Sequence, residues 1–250
     1  MNLDQYLDSL RQNPAFLSCV THWEVLPAQP ARLMDMPAGL SEPIVRALHK
    51  RGIYQLYTHQ RRAVDAALSG RSITVVTPTA SGKTYCYNLP VLETILRDRN
   101  ARALYLFPTK ALAADQNAEI NAFIADMGEE VKAFTYDGDT PVNVRNAVRL
   151  AGHIVLTNPD MLHSGILPHH TKWVKLFENL RYIVIDEIHT YRGVFGSNLA
   201  NVIRRLTRLC KFYGSNPQFI CCSATIANPG ELASTLIGRP VDVIDQSGAA

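Results

Sequence analysis

The run Thr77-Pro78-Thr79-Ala80-Ser81-Gly82-Lys83-Thr84 has the residue types and spacing of a loop that cradles a polyphosphate. It follows the β-branched apolar run Ile73-Thr74-Val75-Val76 and opens a segment with helical patterning. A strand, loop and helix in this order turn successive backbone N–H groups toward one point. The helix adds the positive end of its dipole there. Gly82 lets the backbone approach the phosphates closely. Lys83 can reach the β- and γ-phosphates, and the Thr84 hydroxyl can ligate Mg²⁺. Thr77 stands where the G-x-x-x-x-G-K-[ST] pattern has its first glycine.

A second chemical group follows further along the chain. Tyr182-Ile183-Val184-Ile185 is fully apolar, as expected of a central strand in a parallel sheet, and it runs into Asp186-Glu187-Ile188-His189. Adjacent acids at the end of a buried strand are costly unless a cation or a reaction uses them. Ligands of open α/β sheets bind at that edge. Asp186 is therefore read as the Mg²⁺-side carboxylate. Glu187 is read as the base or orienter for an attacking water. The competing reading is a strand end followed by a solvated helix cap; the phosphate loop preceding the acids in the right order favours the chemistry.

These residues need a scaffold, and the chain supplies its pattern. From Ser72 onward, apolar strand-like runs alternate with helical patterns. The strands are expected at 73–77, 103–107, 131–135, 153–157, 182–186 and 219–222. The helices are expected near 82–97, 110–126, 142–150, 159–164, 197–212 and 230–236. Such alternation implies an α/β fold, a mostly parallel sheet with helices on both faces. Pro90 lies inside the first of these helices and should kink or shorten it. Before residue 70 the pattern differs. A short helix is expected over 3–10 and a short strand over 23–26. Pro27, Pro30 and Pro37 then suggest an extended linker. Ser41 reads as the cap of a helix with Pro43 in its first turn and Gly52 past its end. Another helix is expected over 59–68. The whole segment reads as an appendage plus an adenine-side lip, without a core of its own, with residues 1–40 as an N-terminal extension and 41–250 as the main domain.

The size and composition exclude several classes. With 250 residues, 47% hydrophobic and 19% charged, the chain has the make-up of a soluble globular protein. No apolar stretch reaches membrane-spanning length, so no membrane partner is expected, and Met1-Asn2-Leu3-Asp4-Gln5 does not begin a secretory leader. The five cysteines (Cys19, Cys86, Cys210, Cys221, Cys222) form no C-x-x-C pair and read as reduced thiols. A cytoplasmic protein is expected, or a nuclear one in a eukaryote. His163, His169 and His170 have no metal-site spacing. A net charge of +3 does not by itself indicate a nucleic-acid partner, so that reading must rest on placed residues.

The motifs in order resemble the first RecA-like domain of a superfamily 2 helicase of the DEAD/DEAH type. Gly52 with Gln60 resembles the adenine-reading Q motif, and Thr79-Ala80-Ser81-Gly82-Lys83-Thr84 resembles motif I. Pro108-Thr109-Lys110-Ala111-Leu112-Ala113 resembles motif Ia, Asp186-Glu187-Ile188-His189 motif II, and Ser223-Ala224-Thr225 motif III. Within that superfamily, Tyr136-Asp137-Gly138-Asp139-Thr140-Pro141, Thr157-Asn158-Pro159-Asp160-Met161-Leu162 and the run from His189 to Ser197 look like the MrfA-type DNA-repair helicases, relatives of the fourth RecQ-like helicases. So does the run from Cys221 to Pro229.

The resemblance implies a RecA-like P-loop NTPase that uses ATP and Mg²⁺. Gln60 would hydrogen-bond the adenine edge with Tyr57 or Tyr54 packing nearby; otherwise it is an ordinary glutamine near a helix start. Lys83, Asp186 and Glu187 would be catalytic, and Thr84 and Asp186 would hold the metal, Asp186 through water. His189 would contact Ser223 or Thr225 and couple the nucleotide to the nucleic-acid face; the plainer reading is a satisfied polar residue after a strand. Single-stranded nucleic acid, DNA ahead of RNA, would meet Thr109, Lys110, Gly138, Thr157, Asn158 and Arg192. For Lys110 and Arg192 the alternative is surface solubility. Asp139, a carboxylate beside them, is expected to orient backbone and not to face a phosphate. The family carries a second RecA-like domain with an arginine finger, so this domain alone is expected to bind nucleotide weakly and hydrolyse it poorly. The activity implied is that of an ATP-dependent DNA helicase or translocase. Its rivals are an RNA helicase and a nucleotide-gated binding module that does not unwind.

Overall fold

The computed structural model describes residues 2–24, 27 and 29–250. Met1–Pro30 forms one unit and Ala31–Ala249 another. The first holds helices α1 (Leu3–Arg11) and α2 (Pro14–Leu17), neither with a buried residue. Asn2 and Gln5 cap α1 reciprocally: the Asn2 side chain accepts from the Gln5 N–H at 2.9 Å, and the Gln5 side chain accepts from the Asn2 N–H at 3.1 Å. Of the strand expected over 23–26, Trp23 and Glu24 are not extended into a sheet, and Val25 and Leu26 lie outside the described residues.

The second unit begins with strands β1 (Leu33–Met34) and β2 (Leu56–Tyr57), which pair antiparallel. A larger sheet follows from β3 (Ile73–Val76), β4 (Arg102–Leu106), β5 (Ala133–Thr135), β6 (Ile154–Thr157), β7 (Leu180–Ile185), β8 (Gln218–Ser223) and β9 (Asp242–Ile244). These seven run in the order β5-β6-β4-β7-β8-β3-β9, and every pairing is parallel. Around them lie α3 (Glu42–Lys50), α4 (Thr58–Leu68), α5 (Thr84–Arg97), α6 (Lys110–Met127), α7 (Val142–Ala151), α8 (Pro159–Met161), α9 (Val174–Asn179), α10 (Gly193–Phe212) and α11 (Pro229–Ile237).

Period-two alternation along the strands divides the core into two layers. On β4, Ala103 and Tyr105 join Leu48, Ala63, Leu89 and Ile120 from α3–α6, whereas Leu104 and Leu106 join Val148, Phe177, Leu199 and Ala233 from α7 and α9–α11. The adjacent Cys222 and Cys221 of β8 split the same way, both as buried free thiols. Both faces of the sheet are thus covered, which is why its strands read as continuous apolar runs. Truncating a wholly buried strand residue such as Ile183 to alanine is expected to cost about 2–5 kcal/mol. Among the described residues no helix is long and apolar enough to cross a membrane.

Several elements differ from expectation. The segment before residue 70 does contribute to the main core, through Ile44, Ala47, Leu48, Leu56, Ala63, Val64 and Ala67. Ser41 occupies the cap position of α3 without a side-chain cap bond; its hydroxyl donates to Glu93 Oε1 at 2.9 Å and its N–H to Oε2 at 2.6 Å. Helix α5 continues through Pro90 and is not shortened. Proline offers no N–H to the Cys86 carbonyl, but its neighbours Leu89, Val91 and Leu92 are fully buried, and their packing outweighs the missing bond. Strand β9 was not expected: it adds a parallel edge beside β3, with Val75 opposite the buried Ile244.

Candidate nucleotide site

Strand β8 lies between β3 and β7, so the loop after β3 and the acids after β7 share the carboxyl rim of the sheet. Two strand spacings, about 10 Å, separate the strands that carry them. The rim therefore brings together Lys83, Thr84, Asp186 and Glu187.

The loop is braced from inside. Thr77 is buried, and its hydroxyl lies 2.6 Å from that of Ser81, which accounts for threonine in place of the first glycine. Ala80 and Gly82 take left-handed backbones at φ 62° and 77°. A Cβ on Gly82 would also come within 2.5 Å of Gln60 Nε2, so a side chain there would be strained in its backbone and would displace the Gln60 amide. The Lys83 ammonium donates to the carbonyls of Thr77 and Pro78, each at 3.0 Å. His59 Nδ1 accepts from the Gly248 N–H at 3.1 Å, which leaves the proton on Nε2 to be donated to the Ser81 carbonyl at 3.0 Å. Burial, foremost, holds the His59 pKa below its ordinary value.

Gln60 is 4% exposed, and both ends of its amide bind protein. Its Oε1 accepts from the Tyr57 N–H at 3.0 Å, and its Nε2 donates to the Gly82 carbonyl at 2.9 Å. It thus ties β2 to the phosphate loop. Gln60 also lines a cavity of about 520 Å³ together with Tyr54, Tyr57, Gly82 and Tyr85, a place with room for a planar base. Tyr57 stacks on His59 with ring centroids 5.8 Å apart. Thr79, Ala80 and Ser81 complete the loop between these residues and Lys83.

On the acid side, Asp186 is 8% exposed. Its Oδ1 accepts from the Glu187 N–H at 2.8 Å and its Oδ2 from the Tyr87 hydroxyl at 3.3 Å. Burial pushes the Asp186 carboxyl up to about 6, with the Glu187 N–H and the Lys83 cation pulling the other way. Glu187 has φ 52°, in the left-handed region, and its buried Oε2 has no hydrogen-bond partner. His189 Nδ1 lies 3.1 Å from that oxygen but accepts from the Ala224 N–H at 3.3 Å. The expected contact of His189 with the Ser223 or Thr225 side chain is thus replaced by one to the backbone between them. The Ser223 hydroxyl is buried without a partner, and Thr225 is exposed.

These oxygens fit a hard divalent cation. Thr84 opens α5 directly after the phosphate loop, and the hydroxyl of Tyr87, one turn further on, meets Asp186, so the head of α5 lies against the acid strand end. An unpartnered Glu187 oxygen and a carboxyl raised by burial are what such a cation would relieve. Among the described residues no cluster of three or more His, Cys, Asp or Glu is placed to ligate a metal.

Apart from Arg192, the remaining residues end or follow β4, β5 and β6, on the far side of β7 along the same rim. Thr109 caps α6 by accepting from the Leu112 N–H at 3.2 Å. Lys110 and Asp139 are both exposed and pair at 2.7 Å, with Gly138 beside them. The Asp139 carboxylate therefore neutralises Lys110 where it was expected to orient backbone. Asn158 caps α8, accepting from the Met161 N–H at 2.8 Å. Thr157 departs from its expected role: it is buried, and its hydroxyl donates to the Tyr136 carbonyl at 2.6 Å, so it secures the loop from within and presents nothing to a phosphate. Arg192 is exposed at the head of α10, at the mouth of a cavity of about 790 Å³ between α10 and α11. Sequence reasoning passed over Tyr87 and His59. The signal for Tyr87 was its place three residues after Thr84, on the same helical face.

The chain is similar to known proteins. A family model described as DEAD/DEAH box helicase matches residues 57–232. The chain is 63% identical over 230 residues to the uncharacterized ATP-dependent helicase YprA of Bacillus subtilis, covering 92% of this chain and 31% of that protein. It is 33% identical to the ATP-dependent helicase HRQ1 of Saccharomyces cerevisiae, over 99% of this chain and 23% of that one. The DUF1998 helicase MrfA, solved bound to DNA and AMPPNP, superposes with a TM-score of 0.95 at 59% identity, covering 100% of this chain and 34% of that one. The DEAD-box helicase Mss116 bound to ssRNA, at 20% identity and a TM-score of 0.69, shares the fold alone. The chain spans at most about a third of the length of these first relatives (31% and 23%).

Proposed function

The chain belongs to the DEAD/DEAH box helicase family, and from that premise we propose that it is the first RecA-like motor domain of an ATP-dependent DNA helicase or translocase acting in DNA repair. The observation that carries this reading is the shared rim, where β8 holds the Lys83 loop and the Asp186–Glu187 acids on either side of itself. ATP occupies the loop with its base toward Tyr57 and Gln60. Lys83 leaves the Thr77 and Pro78 carbonyls to meet the β- and γ-phosphates. Thr84 and Asp186 would hold Mg²⁺, which when bound neutralises charge on the phosphate oxygens. Glu187 orients the attacking water and takes its proton as oxygen adds in line to the γ-phosphorus and ADP departs.

Thr109, Lys110, Gly138, Asn158 and Arg192 form the nucleic-acid track, with caps and cations suited to backbone phosphates. His189 reaches the loop after β8 through the Ala224 N–H and so joins hydrolysis to that track. A second RecA-like domain supplies an arginine finger worth about 10³–10⁵ in rate, and its closure and reopening step the protein along one strand. The DNA preference follows the likeness to MrfA, whose structure is described as bound to DNA. The test is ATP hydrolysis by the full-length protein with matched DNA and RNA single strands. DNA should stimulate turnover more; stronger stimulation by RNA sinks the DNA assignment, and no hydrolysis with either sinks the motor.

A further inference from the structure

Tyr87 is fully buried in the first turn of α5, with its ring held edge-to-face against Tyr105 at 5.3 Å. The ring is fixed; the hydroxyl proton is free to rotate. That hydroxyl lies 3.3 Å from Asp186 Oδ2 and 3.0 Å from Gln116 Oε1. Both partners are acceptors, and a phenol has one proton. It serves either the carboxylate or the amide at a given moment. With the Gln116 amide turned over, its NH₂ would donate to the phenol oxygen while the phenol donates to Asp186. In the first arrangement the state of Oδ2 decides whether the phenol proton serves Gln116.

Gln116 belongs to α6, whose cap is Thr109 and whose first residue is Lys110. About 9 Å of rigid helix separates the amide from that head. The Lys110–Asp139 pair then continues the connection to the loop after β5. A polar thread thus runs from the acid of the nucleotide site, through one buried phenol, into the helix that opens the nucleic-acid track. Tyr105 donates to Asn88 at 3.0 Å and does not compete.

Taking the chain as a motor domain, as proposed above, we propose that Tyr87 is a positioning residue that couples Asp186 to α6, so that nucleotide binding alters affinity for single-stranded nucleic acid through its hydroxyl. Phenylalanine keeps the packing and deletes only the thread. Leucine at Gln116 removes the acceptor from the other end.

The test uses the full-length protein, wild type, Tyr87→Phe, Gln116→Leu and the double variant. The dissociation constant of a DNA single strand is measured with and without a saturating non-hydrolysable ATP analogue and Mg²⁺, and the ratio is the coupling factor. A wild-type factor of about tenfold should fall below about twofold in each single variant, and the double variant should lose no more than either. Analogue affinity of Gln116→Leu without DNA should stay within about threefold of wild type, with its melting temperature unchanged. A coupling factor kept by Tyr87→Phe, or by Gln116→Leu should the phenylalanine variant not fold, overturns the inference. So does a loss confined to analogue affinity with the factor intact. A wild-type protein that binds neither ligand takes the motor reading down as well, which separates the two failures.

Discussion

The rim over β3, β8 and β7 and the rim over β4, β6 and β5 are built on opposite principles. In the first, polar groups are buried and bind one another: Thr77 to Ser81, Gln60 to Gly82, Tyr87 to Asp186. Three buried oxygens there (Glu187 Oε2, the Tyr191 hydroxyl and Ser223 Oγ) lack partners, and Ala80 and Glu187, the described non-glycine residues with left-handed backbone, both sit on it. In the second, Thr109, Lys110, Gly138 and Asp139 are exposed, relaxed and paired through a surface ion pair. A site that must place one phosphorus against one water is assembled by the core. A track that must hold any stretch of polyanion is assembled from caps and charges at the surface.

The difference can be broken most forcefully at Glu187. In the full-length protein, Glu187→Gln should lower kcat by at least about a hundredfold while ATP still binds. Steady-state turnover beside equilibrium binding measures this, and a loss below tenfold would remove the residue from its role. Asp186 gives the next largest effect. Its folded carboxyl, at about 6, lies above the ordinary 3.8, so the folded state holds a proton that the unfolded state has released. The stabilisation is full below about pH 4 and is lost as pH rises through 6, at most about 3 kcal/mol. Without metal, Asp186→Asn should abolish that pH dependence and be more stable than wild type at pH 7. Denaturant melts at pH 4.5 and 7 decide it; identical slopes for both proteins would show that the carboxyl is not desolvated.

On the surface rim, effects should be small and sensitive to salt. Asp139→Asn releases Lys110 and should tighten DNA binding by about two- to threefold at low salt, and steepen the logarithmic salt dependence by up to about one unit. Lys110→Ala should do the reverse, equally for every sequence. Titrations at several salt concentrations test both; unchanged slopes would mean that Lys110 meets no phosphate. Thr157→Val should have the smallest effect on function: it leaves the Tyr136 carbonyl without its donor and costs about 1 kcal/mol of stability, with DNA affinity unchanged. A selective loss of DNA binding in a variant of full stability would return Thr157 to the track.

What was legible in the sequence follows the same division. The alternation of apolar runs and helical patterns gave the sheet and its two layers, because strands covered on both faces must be apolar throughout. The loop and the acids were legible because phosphate and cation chemistry tolerates few residue types at fixed spacing. Strand β9 escaped because it is three residues long and half open at the edge, with Val243 43% exposed. Pro90 does not shorten α5 because the burial on either side of it outweighs local propensity. The inner partners of Gln60, His189 and Thr157 were hidden for a common reason: each residue is polar and near the rim, and only three-dimensional placement shows whether its hydrogen bonds point outward or into the loop.

The twisted backbone at Glu187 carries a consequence for how this protein can change. A side chain at φ 52° costs about 1–3 kcal/mol that glycine would not. Selection for heat resistance alone, with activity left unscreened, should therefore drift position 187 toward glycine, and Ala80 with it. Selection that keeps turnover should hold the glutamate in place. The torsion marks a point where robustness and work pull the lineage in opposite directions.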